Sequence, residues 1–326
     1  MATQKMTVIQ AITDAIAVEM ARDPKVVVLG EDVGINGGVF RATDGLLQKY
    51  GPGRVMDTPL AESGIIGFSV GLAAGGLRPI AEVQFDGFTY IMFHQLKYHA
   101  SELLYKTRGK IPVPLVLRAP YGGGIRALEF HSEAVEAFFC HMPGLKVVCP
   151  SNPYDAKGML IASIRDPGPV VFLEPKRIYR AVKGEVPEED YTVPLGKAAI
   201  AREGSDVTVI AWGAPVHQAL EAAEIVKDKA SVEVVDLRTL NPLDEETLLN
   251  SVRKTGRAIV VQEAPGTGGF GSEIAALIQE KALLELKAPV MRLTGFDIPT
   301  PLARMEDYHV PNPKRIAKYV DKIMSF

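Results

Sequence analysis

The chain has little of what staples small extracellular proteins together. Its 326 residues include two cysteines, Cys140 and Cys149, and one tryptophan. Two thiols without metal-ligand spacing exclude a disulfide framework and a structural zinc site, and they are expected as core thiols of a cytoplasmic protein. No apolar run reaches the roughly 18 residues that mark a membrane-spanning helix, and the N-terminal residues show no signal-peptide pattern. Neither sign of charge dominates: 36 Lys and Arg against 39 Asp and Glu leave a net charge of −3. That balance gives no reason to expect nucleic acid or an anionic membrane as a partner. Low-complexity segments and short repeats are also missing.

What is present is apolar and ordered. Hydrophobic residues make up 47% of a chain long enough for two ordinary domains. Short, continuously apolar segments (Val26–Gly30, Arg78–Phe85, Val113–Ala119, Leu145–Pro150, Pro169–Glu174) alternate with helical patterns. This alternation predicts an α/β fold whose parallel sheet is buried on both faces. The first helix opens at Thr7, with Gln10 completing a capping box and Val8, Ile9, Ile12, Ile16 and Met20 as its apolar stripe. Residues 1–185 read as one domain, the polar, proline-containing 186–200 as a linker, and 201–326 as a second α/β unit. The strands of that unit are expected at Asp206–Trp212, Val232–Leu237, Ala258–Glu263 and Ala288–Leu293.

The stretch around which the chain is organised is Asp57–Gly76. Between Glu62 and Arg78 it holds no charge, and Gly64, Gly67 and Gly71 recur at helical spacing. Each interior glycine costs a helix about 0.5–1 kcal/mol relative to alanine, so a second helix is expected to pack closely on it, as at a subunit interface. Glu62 stands in the first turn. By itself this placement is also what a helix dipole favours.

Other candidates sit where apolar strands end, the edge at which open α/β sheets hold ligands. Glu31 and Asp32 follow Gly30. Gln84 and Asp86 flank an aromatic run of Phe85, Phe88, Tyr90 and Phe93, from which one helix is expected to continue to about Tyr105. Gly122–Gly124 leads to His131, with Ser132 placed to cap a helix beginning at Glu133. An imidazole beside a helix N-terminus is expected to be neutral. Gly266–Gly271 (GTGGFG) satisfies G-x-G-x-x-G, the basis for an alternative nicotinamide- or flavin-linked reading. The following strand ends in Thr294-Gly295 where a dinucleotide fingerprint needs an acid, so the motif reads as a glycine-rich turn.

Taken together, LGEDVG, GGVFRAT, DTPLAESGI, LRPIAEVQF, FHSE, GLKVV, DAKG, VVFLEPKR, VVDLRTLNPLD and LTGFD make the chain resemble, along its whole length, a known family. It is the β subunit of the thiamine-diphosphate-dependent 2-oxo acid dehydrogenases of pyruvate or branched-chain type. The resemblance implies a pyrimidine-binding domain followed by a transketolase C-terminal domain. It implies that Glu62 hydrogen-bonds the cofactor's pyrimidine nitrogen, that Phe88 stacks on that ring beside Leu60 and Gln84, and that Glu31 faces it. His131 is implied to act in acyl transfer to lipoamide. The acidic GDG segment that such enzymes use for the diphosphate is missing. The resemblance therefore implies an α subunit that binds Mg2+ and completes the site, an α2β2 assembly, and an acyltransferase core docked through the C-terminal domain. No metal-binding residue is implied in this chain. Mammalian relatives also hold potassium near the positions of Leu115, Ser163 and Asp166. Two positions depart from the pattern: His94 precedes Gln95 where Asp is frequent, and Gly75 replaces the glutamine that ends the motif of the central helix. The segment 121–141 looks more like branched-chain members, while the choice between pyruvate and branched-chain acids stays open. A scaffold that only docks the acyltransferase core is the other alternative.

Overall fold

The computed structural model describes residues 2–127, 129 and 131–326. The first helix is Val8–Arg22, and Thr7 and Gln10 close the reciprocal capping box. Its stripe packs with helix Pro153–Arg165 into a core that includes Ile12, Val28, Met159 and Phe172, on one face of a seven-stranded sheet. Across that sheet the strands run Thr239–Asn241, Lys146–Val148, Val170–Pro175, Val116–Tyr121, Arg78–Glu82, Val26–Gly30 and Val55–Asp57. All pair in parallel except the first, which runs antiparallel to Lys146–Val148. Val26–Gly30 is buried at every position, as its unbroken apolar run requires.

The second sheet is Met291–Gly295, Ala258–Pro265, Val207–Ala211, Val232–Asp236 and Ala199–Arg202, with the last strand antiparallel. The two sheets are not independent. Thr239–Asn241 belongs by sequence to the second half yet edges the first sheet. One apolar core also runs from Leu29, Ile65 and Leu117 to Trp212, Val260 and Ile274. The connection between the halves is structured as well: Lys183–Pro187 pairs antiparallel with Thr3–Thr7.

Two local expectations are corrected. The stretch after Phe85 is not one regular helix. It is a 3-10 turn over Asp86–Met92, a π-helical turn over Gln95–Ala100 and a short helix over Leu103–Lys106. Hydroxyls compete for its carbonyls: Thr89 Oγ1 donates to Asp86 O (2.5 Å) and Ser101 Oγ to Lys97 O (2.7 Å). Ser132 caps nothing. The next helix starts at Glu136, because Gly122 N donates to Glu133 O (2.9 Å) and holds that segment against the strand end. The argument for a neutral His131 from an adjacent helix terminus lapses with it. Helix Glu62–Ala74 is only half covered within the chain. Ile65, Ile66, Ser69, Val70 and Ala73 are buried, while Gly64, Phe68 and Gly71 face outward, and a Cβ on Gly71 would meet nothing within 4 Å. Among the described residues no helix is long and apolar enough to cross a membrane.

Candidate active site

Register brings the candidate residues to one edge. Gly30 lies opposite Asp57 on one side and Glu82 on the other, so three parallel strands end level with one another. The segments carrying Glu31, Leu60 with Glu62, and Gln84 with Phe88 all leave the sheet there. Gly30 has no room for a side chain, since a Cβ would come within 2.6 Å of Glu82 O. The loop after it is tied to the neighbouring strand end by Asp57, which accepts from Gly34 N (2.6 Å) and Ile35 N (3.2 Å).

That tight exit buries Glu31. Among the described residues neither of its carboxylate oxygens has a hydrogen-bond partner, and it is 3% exposed. Burial pushes its pKa up to about 7, with the charges of Glu62 and Asp32 adding to the shift. Glu62 is half-buried as the first residue of its helix, and Leu60 just before it is 81% exposed. Gln84 reaches across the edge to donate to Asp32 Oδ2 (3.2 Å).

On the other side stands an aromatic group. The His131 ring packs edge-on against Phe85 and Phe88, with centroids 4.0 and 5.5 Å away, and the two phenyl rings lie 6.2 Å apart. His131 Nδ1 donates to Glu129 O, which leaves Nε2 as the ring's second nitrogen. Phe85 belongs to the aromatic run named from the sequence, without a role of its own there. Its position at a strand end, beside Gln84, was the available signal.

Beneath the edge lies a buried ionic layer that sequence reasoning missed. Arg118 forks onto Glu174 (2.7 and 2.9 Å) and reaches Glu82 (2.5 Å), and Tyr179 OH donates to Glu174. Burial opposes the Arg118 charge, but Glu174 and Glu82 raise its pKa above the ordinary value. Burial likewise raises Glu82, against the pull of Arg118. A charge in each of three otherwise apolar strands was the legible clue. A second layer joins Asp86 to Lys176 (3.1 Å). Burial raises Asp86 to about 6, and raises Glu136 and Glu263 to about 7.

The GTGGFG turn is filled by protein groups. Gln262 accepts from Gly271 N (2.6 Å) and donates to Pro265 O (2.7 Å), and Asp297 accepts from Thr267 N (3.0 Å) and Oγ1 (2.7 Å). A Cβ on Gly269 would clash with Gln262, so the glycines serve the turn. The carbonyls near the expected potassium positions also have protein donors: Val170 N on Leu115 O, Asp166 N on Ser163 O, and the Arg78 guanidinium on Asp166 O.

Residues 4–182 match the transketolase pyrimidine-binding domain, and residues 196–316 match the transketolase C-terminal domain. The pyruvate dehydrogenase E1 component subunit beta of Acholeplasma laidlawii is 54% identical over 319 residues, 98% of each chain. The 2-oxoisovalerate dehydrogenase subunit beta of Bacillus subtilis is 50% identical, covering 98% of this chain and 99% of its own. The chain belongs to the 2-oxo acid dehydrogenase β subunits. Within that family it is similar to both named types, being 49% identical to the Bacillus subtilis pyruvate dehydrogenase E1 component subunit beta over 99% of each chain. A solved split-gene transketolase, an inactive β4 tetramer, shares the fold with a TM-score of 0.80 at 24% identity over 98% of each chain. In this β subunit the shared edge of the first sheet gathers Glu31, Leu60, Glu62 and Gln84, and the loop from the Val116–Tyr121 strand adds His131 beside Phe85 and Phe88.

Proposed function

We propose that this chain is one half of a thiamine-diphosphate-dependent enzyme that oxidatively decarboxylates a branched-chain 2-oxo acid or pyruvate and passes the acyl group to lipoamide. The observation that carries the reading is the carboxyl pair at the sheet edge. Glu31 has two buried oxygens with no donor from the protein, and Glu62 lies close enough to raise its pKa. A buried acceptor without a partner costs about 1–3 kcal/mol, and more when charged, so the edge is suited to a ligand that brings donors. Leu60 and Phe88 offer that ligand apolar faces, and Gln84 a polar one. This set of carboxylate acceptors and apolar faces fits the aminopyrimidine of thiamine diphosphate.

In this reading Glu62 would hold a proton at the pyrimidine nitrogen, Phe88 and Leu60 would orient the ring, and Glu31 and Gln84 would satisfy its polar edge. The cofactor supplies the electron sink that lets the carboxylate of the 2-oxo acid leave as carbon dioxide. His131 Nε2 moves a proton during transfer to the dithiolane of lipoamide. The Phe85 and Phe88 rings limit water around it.

The diphosphate and Mg2+ are assigned to an α subunit in an α2β2 enzyme, and the acyltransferase core to a contact with the C-terminal domain. The division at residues 185 and 200 and a cytoplasmic location belong to the same proposal. The test is a reconstitution with the α subunit, assayed for carbon dioxide release from pyruvate and from 3-methyl-2-oxobutanoate. Glu62→Gln should assemble yet lose at least about a hundredfold in turnover, the scale of a lost acid–base group. More than half of wild-type turnover in that variant would overturn the assignment. An active assembly with unchanged turnover is the scaffold outcome.

A further inference from the structure

The turn that leads to His131 is held by the other domain. Gly123 N donates to Glu263 Oε2 (2.7 Å), Gly124 N to Glu306 Oε1 (2.9 Å) and Arg126 N to Glu306 Oε2 (2.7 Å). Glu263 lies near the end of strand Ala258–Pro265, and Glu306 opens the short helix Glu306–His309. Both carboxylates are buried, at 6% and 1% exposure. Gly122 N is held from within the first domain, by Glu133 O (2.9 Å) and by Asp86 Oδ2 (3.3 Å).

This arrangement explains the run of glycines. Gly122 and Gly124 adopt φ of +75° and +92°. A Cβ on Gly122 would come within 2.7 Å of Glu263, one on Gly123 within 3.0 Å of Glu306 and Val310, and one on Gly124 within 2.6 Å of Arg177. The close approach exists so that two carboxylates can reach backbone amides. Charge-assisted bonds of this kind are about twice as strong as neutral ones, and Glu306 spans two amides with its two oxygens. It therefore sets the direction in which the chain leaves toward His131.

We propose that Glu306, seconded by Glu263, is a positioning residue for His131, so that the C-terminal domain governs acyl transfer at a site it does not line. The inference rests on the transfer role given to His131 above. Gly124 is half-buried and the Arg126 side chain exposed, so this end of the turn lies at the surface. Loss of Glu306 then loosens the loop and leaves the core intact. The Arg126–Asp307 ion pair (2.9 Å) is exposed on both sides and adds little.

The test uses the enzyme assembled with its α subunit. Glu306→Gln keeps one acceptor and turns an amide N–H against a backbone N–H. It should lower the rate of lipoamide reduction by about tenfold, one charged hydrogen bond in the transfer step. Decarboxylation read with an artificial electron acceptor should stay within about twofold of wild type, and trypsin should cut faster after Arg126. Glu306→Asp keeps both acceptor oxygens and should recover most of the transfer rate. An unchanged transfer rate in Glu306→Gln overturns the proposal, as does equal loss in both half-reactions or an Asp variant no better than Gln. His131→Ala is run in parallel. If it impairs transfer while Glu306→Gln does not, positioning alone fails. If it leaves transfer intact, the role of His131 itself fails.

Discussion

At the scale of the residue, burial decides what each charge can do. Glu31 and Arg118 are both buried, yet one has no protein partner and the other has two carboxylates and a planar fork to meet them. The first is poised for a ligand, the second is framework. A buried ion pair is weak evidence of net stability, but breaking one strands the survivors without compensation. Arg118→Met leaves Glu82 and Glu174 facing each other in the sheet. Its urea midpoint should fall by the equivalent of about 3–5 kcal/mol. A loss below about 1 kcal/mol would mean that water reaches the trio, against its burial.

At the scale of the element, the glycine-faced helix separates folding from assembly. Its inner face packs under the sheet, and its outer face is bare at Gly64 and Gly71. Gly71→Leu removes a poor helix former, and its Cβ would meet nothing within 4 Å in the chain. The isolated subunit should gain up to about 1 kcal/mol. If that face is where another subunit's helix seats, the added side chain should weaken association with the α subunit at least tenfold, a cost of about 1.4 kcal/mol, read by sedimentation. Undiminished association would show that the face is free in the enzyme. The capping box at Thr7 and the buried strand Val26–Gly30 were legible because both are local. The broken helix after Phe85 was not. Its hydroxyl-to-carbonyl bonds are local, but the buried Asp86–Lys176 pair that anchors its start depends on a residue 90 positions downstream.

At the scale of the whole molecule, the chain is proposed to hold the pyrimidine and to leave the diphosphate to an α subunit. Among the described residues no cluster of His, Cys, Asp and Glu is arranged to hold a metal ion. The diphosphate carries most of the cofactor's charge, and metal-bridged contacts to it dominate the affinity of such ligands. Calorimetric titration of the isolated chain with thiamine diphosphate and Mg2+ should therefore show weak binding or none, and mixing with the α subunit should restore both binding and turnover. Tight binding and turnover by this chain alone would overturn the half-site reading.

The α/β class, most of the strands and the motifs of the family could be read from the sequence alone, because apolar runs, caps and glycine spacings are local and periodic. So could the place of Glu31 and Asp32 at the carboxyl end of Val26–Gly30, since that end is recognisable from the strand itself. Only the tertiary structure decided that Glu31 has no partner, that His131 leans on Phe85, and that Glu263 and Glu306 reach back to the Gly122–Gly124 turn. Those facts are set by register and by the packing of two sheets on one core, and contacts 140 and 182 residues apart leave no period in the sequence.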